Sequence, residues 1–254
     1  LPDNSFLGVF YYDRISHVSS EVSGLVASVD AQEGDVVSIG LPLIQLDTRI
    51  LEKEIQIHRQ QIERSRLQIA HLEKNFQRIE SLFQKGSASE TAYDDVRFAL
   101  DEALLQQATA RSSLEKLQIT KEKSIISSPF DGVVLKKNVD VGGWVSQGKA
   151  VMDIGSIQDL FVRVPVSEEQ IRFLSAGQQV RVLIHAYDQA VSGTIHRISP
   201  IADAKTKNVF LIIQIPVLPE ITIAQNMSAT VNVAAGNPEV LAMIPRDALI
   251  KDQG

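Results

Sequence analysis

Side chains able to do chemistry are present in this chain, but they are not spaced to do it. The five histidines, His17, His58, His71, His185 and His196, stand in no ligand spacing, and no cysteine accompanies them. A structural or catalytic zinc site needs its ligands in close pairs, so no metal is expected. Asp94-Asp95 is the most visible pair of carboxylates. It falls on a helix surface, where a solvated charge is expected rather than acid-base work. No glycine-rich phosphate loop, dinucleotide fingerprint or nucleophile elbow occurs. Trp144, the single tryptophan, reads as a partly buried strand residue. The expectation is a protein that is not an enzyme and carries neither metal nor cofactor.

Composition narrows what remains. With 254 residues, 44% of them hydrophobic and 22% charged, the chain is long enough for two or three small domains. A formal charge of -6 argues against a nucleic-acid partner, which calls for a basic stripe. No apolar run is long enough to cross a membrane as a helix. Leu1-Pro2-Asp3 is an unusual natural start and is expected of a processed or trimmed chain. Zero cysteines suits an oxidising compartment, where stray thiols are a liability.

The dominant elements are two helices. Ile55, Ile62, Ile69, Phe76 and Phe83 recur every seventh residue, and Leu51, His58, Ser65, Leu72 and Ile79 form a second row beside them. These are the two rows of a coiled-coil seam. The pattern restarts after Gly86 with Tyr93, Leu100, Gln107 and Leu114 in one row and Val96, Ala103, Ala110 and Leu117 in the other. Lys85-Gly86-Ser87-Ala88-Ser89-Glu90 joins the two: Gly86 is placed to end the first helix in a left-handed residue, and Ser87 with Glu90 has capping-box spacing for the second. So short a turn forces the helices antiparallel. From Ile50 to Lys85 the first helix would run roughly 54 Å.

Short strands flank this hairpin, and they repeat. At a constant offset, Gly24 matches Gly132, Val26 matches Val134, Gly34 matches Gly142, Val37-Ser38 matches Val145-Ser146 and Gly40 matches Gly148, with no gap. Leu43 and Leu46 correspond to Val151 and Ile154. The six glycines are expected on turns that need positive φ. Two half-domains that each bury one face should close on each other around the inserted hairpin. The boundaries expected are a first half-motif at 23–48, the hairpin at 49–124 and a second half-motif at 125–156. Beyond it, runs at Phe161–Val166, Gln179–His185, Val191–Ile198, Val209–Val217 and Met227–Val233, with a helix capped by Ser167 and closed by Gly177, suggest a small antiparallel barrel over 157–236. Asn226 stands where a positive φ is expected before Met227. Residues 1–22 read as strands without local partners.

Ser23-Gly24-Leu25-Val26 with Gly34-Asp35-Val36-Val37-Ser38-Ile39-Gly40-Leu41-Pro42-Leu43 resembles the first half of a lipoyl or biotinyl carrier domain. Split by a helical hairpin and resumed at Pro129-Phe130-Asp131-Gly132-Val133-Val134, it resembles the periplasmic adaptor, or membrane fusion, proteins of the HlyD family. The likeness continues through Ile157-Gln158-Asp159-Leu160-Phe161-Val162 and Ala176-Gly177-Gln178-Gln179-Val180, most closely in the manner of adaptors serving resistance-nodulation-division (RND) pumps. In true carriers the acylated lysine would stand at Ile50, after Asp47-Thr48-Arg49, and an apolar side chain offers no amine to modify. The resemblance implies a mixed α and β multidomain fold: a split lipoyl-like β-sandwich, an inserted coiled-coil hairpin, a β-barrel, and a partial membrane-proximal domain made from residues 1–22 and 237–254, including Ile244-Pro245-Arg246-Asp247-Ala248-Leu249.

The same resemblance implies a subunit that bridges an inner-membrane transporter to a TolC-like outer-membrane channel. RND transporters are favoured, and an ABC-type exporter or type I secretion system is the alternative. It implies a six-membered ring in the periplasm, anchored to the inner membrane through an N-terminal lipid or helix outside this chain. Adaptor hairpins dock through an arginine, a leucine four later and a serine seven after that; Arg78, Leu82 and Ser89 have this spacing around the turn. The rival reading is a structural coiled coil with no transport role, in which Arg78 is a solvated helix arginine and Ser89 simply a cap.

Overall fold

A computed structural model describes residues 4–218 and 221–233. The chain divides into two compact units: Ser16–Phe130 with Val134–Ile154, and the described residues of Leu1–Ile15, Asp131–Val133 and Gly155–Gly254.

The first unit carries two four-stranded sheets and the helix pair. Its strands are β2 (Ile15–Ser19), β3 (Gly24–Val29), β4 (Val36–Val37), β5 (Pro42–Leu46), β6 (Ile125–Ser127), β7 (Gly132–Lys137), β8 (Trp144–Val145) and β9 (Ala150–Ser156), following β1 (Asn4–Tyr12) in chain order. They are ordered β2-β9-β7-β4 and β6-β5-β3-β8. Each half therefore sends its shortest strand into the other half's sheet. The repeat is visible down to single bonds. Gly34 N–H donates to the Val134 carbonyl and Gly142 N–H to that of Val26, both at 2.9 Å. In the same way Gly40 N–H reaches the Ser128 carbonyl and Gly148 N–H that of Ser20, both at 2.8 Å.

The core of this unit obeys the same symmetry. Val18, Val26, Ala31, Val37, Leu43, Ile44 and Leu46 pack with Ile126, Val134, Val139, Val145, Val151, Met152 and Ile154, and each residue of the first set stands 108 positions before its counterpart. Full burial of such aliphatic side chains is worth about 1.5–3 kcal/mol apiece. Neither half could assemble this core alone. Four of the six expected turn glycines, Gly34, Gly40, Gly142 and Gly148, have φ between 78° and 92°. Gly24 and Gly132 are corrected: they begin β3 and β7 and are not among the positive-φ glycines. At Gly24 an added Cβ would lie 3.2 Å from Leu46 Cδ1, a tight approach that the leucine side chain would have to yield to.

Helix α1 spans Arg49–Gln84 and α2 spans Glu90–Lys123. They run antiparallel, because Phe83 stacks on Tyr93 at one end while Lys121 Nζ lies 2.7 Å from Glu52 Oε1 at the other. Residues of both expected rows are buried or half-buried along α1 and α2, with Phe83 as the exception.

The second unit is a closed antiparallel barrel. Its strands are β1, β10 (Leu160–Ser167), β11 (Gln179–Ile184), β12 (Gln189–Ala202), β13 (Asn208–Gln214) and β14 (Ser228–Val233), in the order β1-β10-β13-β12-β11-β14. A short helix α3 (Glu168–Ile171) starts at Ser167, Gly177 has φ 86° and Asn226 has φ 67°. Val162, Val164, Val182, Ile184, Ile195, Leu211, Ile213 and Val231 fill the interior.

Two expectations are corrected here. The strands expected from residues 1–22 as the N-terminal part of a membrane-proximal domain are, over residues 4–19, shared between the two units. β1 is instead the sixth stave, antiparallel to both β10 and β14, and β2 lies beside β9. Five staves would leave two open edges, and β1 satisfies both while burying Phe10. The expected C-terminal part of that domain, 237–254, lies outside the described residues. Trp144 is not partly buried but 64% exposed; β8 turns its neighbour Val145 into the core, so period-two geometry turns the indole outward.

The symmetry generates a prediction. Gly34→Ala and Gly142→Ala should each cost about 1 kcal/mol, because an alanine in a left-handed turn is strained by that order. Urea unfolding of the two variants should give matched shifts of the midpoint; one costly and one silent substitution would show that the two turns are not equivalent.

Candidate functional site

The far end of the helix pair is the candidate site, and its geometry begins with the way α1 stops. Gly86, at φ 70°, lets Ser87 N–H fold back onto the Leu82 carbonyl at 2.8 Å and donates its own N–H to the Phe83 carbonyl at 2.9 Å. These are the paired bonds of a Schellman ending. Ser87 is thereby engaged in closing α1 and does not cap α2, so the expected capping box is corrected. Ser89 is the cap: its backbone is extended and its Oγ accepts from Ala92 N–H at 3.2 Å.

Arg78 and Leu82 lie one helical turn apart, on neither seam row. Arg78 is exposed, and its Nη2 donates to Asn75 Oδ1 at 2.7 Å on its own helix. Leu82 is 38% exposed although its carbonyl is held by the turn. The arrangement offers a planar cation, an aliphatic side chain and a hydroxyl on either side of a fixed turn. It can bind another surface; it holds no acid-base pair. Sequence reasoning missed the aromatic cluster behind it. Tyr93 lies 5.0 Å from Phe83, nearly parallel at 19°, and 5.6 Å from Phe76. The signal was three aromatics in seam rows near the turn.

The remaining chemical candidates do not assemble. His17 Nδ1 meets Asp153 Oδ1 at 2.8 Å, and His185 Nε2 meets Thr230 Oγ1 at 2.6 Å. No group of three or more metal-capable side chains occurs among the described residues. Nor is any helix among them long and apolar enough to cross a membrane. Asp94 and Asp95 are exposed on α2, and Ile50 is 79% exposed in the first turn of α1.

Electrostatics concentrates at the opposite end of the pair. Asp47 accepts from Arg49 Nη2 at 2.6 Å, from Nε at 3.0 Å and from its backbone N–H at 3.0 Å. The Arg49 fork and that N–H hold the Asp47 carboxyl down to about 2. Asp47 thus supplies the acceptor that the cap residue Thr48, which makes no capping bond, does not. The Lys121 ammonium lowers Glu52 in the same way. Both pairs are exposed, so their contribution to stability is small.

Residues 14–156 match the CzcB-like, barrel-sandwich hybrid domain. The chain is 24% identical over 251 residues to the multidrug resistance protein MdtE of Escherichia coli (strain K12), covering 93% of this chain and 65% of that protein. It is 21% identical over 246 residues to the cobalt-zinc-cadmium resistance protein CzcB of Cupriavidus metallidurans, covering 94% of this chain and 46% of that protein. The chain therefore spans about half to two thirds of the length of these relatives. Among solved structures, ZneB from Cupriavidus metallidurans matches with a TM-score of 0.63 at 19% identity, over 90% of this chain and 96% of that one.

The Asp47 carboxyl makes a direct test of the local geometry. A carboxyl depressed in the folded state adds stability above its ordinary value of 3.8 and loses it as pH falls toward about 2. Its titration, followed by carboxyl NMR, should have a midpoint near 2 in the native chain and move up toward 3.8 in Arg49→Gln. An unchanged midpoint in the variant would show that Arg49 is not the cause.

Proposed function

Since the chain belongs to the CzcB-like barrel-sandwich hybrid family, we propose that it is a non-catalytic periplasmic adaptor, one that links an inner-membrane transporter to a TolC-like outer-membrane channel. The helix pair is then a two-stranded coiled coil whose tip docks on the channel through Arg78, Leu82 and Ser89. The barrel faces the transporter, for which the RND class is favoured over an ABC-type exporter. Copies act together as a ring of six. The relatives' names, one for multidrug and one for cobalt-zinc-cadmium resistance, support export of small toxic solutes.

The observation that carries this reading is the exposed tip. A helix pair that existed only to pack would gain nothing from a fixed turn presenting Arg78 and Leu82 outside the seam. The six-fold assembly supplies the rest of the logic, since modest contacts repeated around a ring gain strength through effective concentration.

Arg78→Asp tests it. Removing a charge-assisted hydrogen bond costs about 1.5–3 kcal/mol, and reversing the charge adds repulsion. Folding should change by no more than about 0.5 kcal/mol, because Arg78 is a surface residue outside core and caps. The full-length variant should melt as the native protein does and fail to support export. Normal export with normal expression would remove Arg78 from the docking surface.

A further inference from the structure

Phe83 is the residue of its seam row that should be covered and is not. Ile55 and Ile69 in that row are buried, whereas Phe83 is 38% exposed. The cause is the position of the turn. α2 begins only at Glu90, and the first seam residue it offers is Tyr93. Tyr93 covers one side of the Phe83 ring, stacked at 5.0 Å and 19°. The polar and small residues of the turn do not complete its cover, and Phe83 stays 38% exposed.

An exposed aromatic on a fraying helix end would mean little, but this one is fixed twice. Its carbonyl accepts from Gly86 N–H, and the adjoining Leu82 carbonyl accepts from both Lys85 and Ser87 N–H, so the backbone of Leu82 and Phe83 is closed by the turn. The ring is held from behind by Tyr93, which Phe76 backs in turn. Little side-chain freedom remains to be lost when such a ring is covered by a partner, and aromatic side chains held in advance are the usual anchors of an interface.

We propose that Phe83 is a further docking residue of the tip, and that Tyr93 is the positioning residue that holds its ring ready. The inference rests on the reading of the tip as the channel-docking end. The surface that fits is an apolar one on the channel, able to cover Leu82 and Phe83, each of which is 38% exposed. An interface with a charged centre would not cover an apolar pair.

The test measures binding of the full chain to the purified TolC-type channel of the same bacterium, immobilised in detergent, by biolayer interferometry. Phe83→Ala should weaken binding about tenfold or more, as expected for an anchor residue, in a variant whose melting point falls with the lost Tyr93 stacking but which is still folded at the assay temperature. Tyr93→Ala should weaken it too, while Tyr93→Phe, which keeps the ring, should rescue it; a merely structural role would leave the affinity of the still-folded variant unchanged. Phe98→Ala removes an aromatic that is 71% exposed in the body of α2 and should leave binding as it was. Native binding with Phe83→Ala would overturn this inference and leave the docking reading standing. Absence of binding by the native chain would overturn both.

Discussion

The structure depends on backbone hydrogen bonds exchanged across an internal two-fold. Gly34 to Val134 and Gly142 to Val26 are one reciprocal pair; Gly40 to Ser128 and Gly148 to Ser20 are another. Because β4 and β8 each complete the sheet of the opposite half, neither half can satisfy its own backbone. An unpaired buried backbone group costs about 1–3 kcal/mol, so the halves must close together. The same constraint explains how the chain tolerates two helices of 36 and 34 residues between them. Leu46 N–H bonds the Ser124 carbonyl at 2.9 Å, which pins the two ends of the insertion side by side, and Lys123 Nζ meets Glu21 at 2.8 Å, which ties the end of α2 to the segment before β3. With the ends held together by the fold, the insertion can be long without parting the two halves.

How much of this was legible depends on whether the signal was local. The repeat could be read because its glycines and apolar residues recur at one offset, and the core follows that offset throughout. Its beginning was not legible. Ser20 and Ser128 are also equivalent: both are buried, and their hydroxyls donate to the carbonyls of Val22 and Phe130. A serine pair in a region without shared glycine gives the eye nothing to align. The barrel shows the other limit. Five of its staves lie in one stretch, but the sixth is β1, whose partner β14 is more than two hundred residues away. Residues 4–12 carry the composition of a strand, and composition cannot name the partner.

At the candidate site the division is similar. The turn was legible from Gly86, and of the two serines read as caps Ser89 fills the role, while the Ser87 N–H that a capping box would use is held by the Schellman bond. Competition between two local motifs for the same residue is decided by geometry that spacing alone does not contain. The exposure of Phe83 is a similar case: a seven-residue repeat predicts cover wherever it continues, and it fails in the last turn, where the partner helix has ended.

The seam itself fixes where the tip can be. Gln107 lies on a seam row and is buried, and His58 and Ser65 on the facing helix are half-buried. A polar residue at a seam position costs stability, but it penalises every alternative alignment that would bury it against purely apolar neighbours. In an antiparallel pair tied at its base by Lys121 and Glu52, sliding by one heptad would move one helix roughly 10 Å along the other. Such a slip would part Tyr93 from Phe83, whose rings now stack. Stability given up within the seam is therefore converted into a fixed position for the tip.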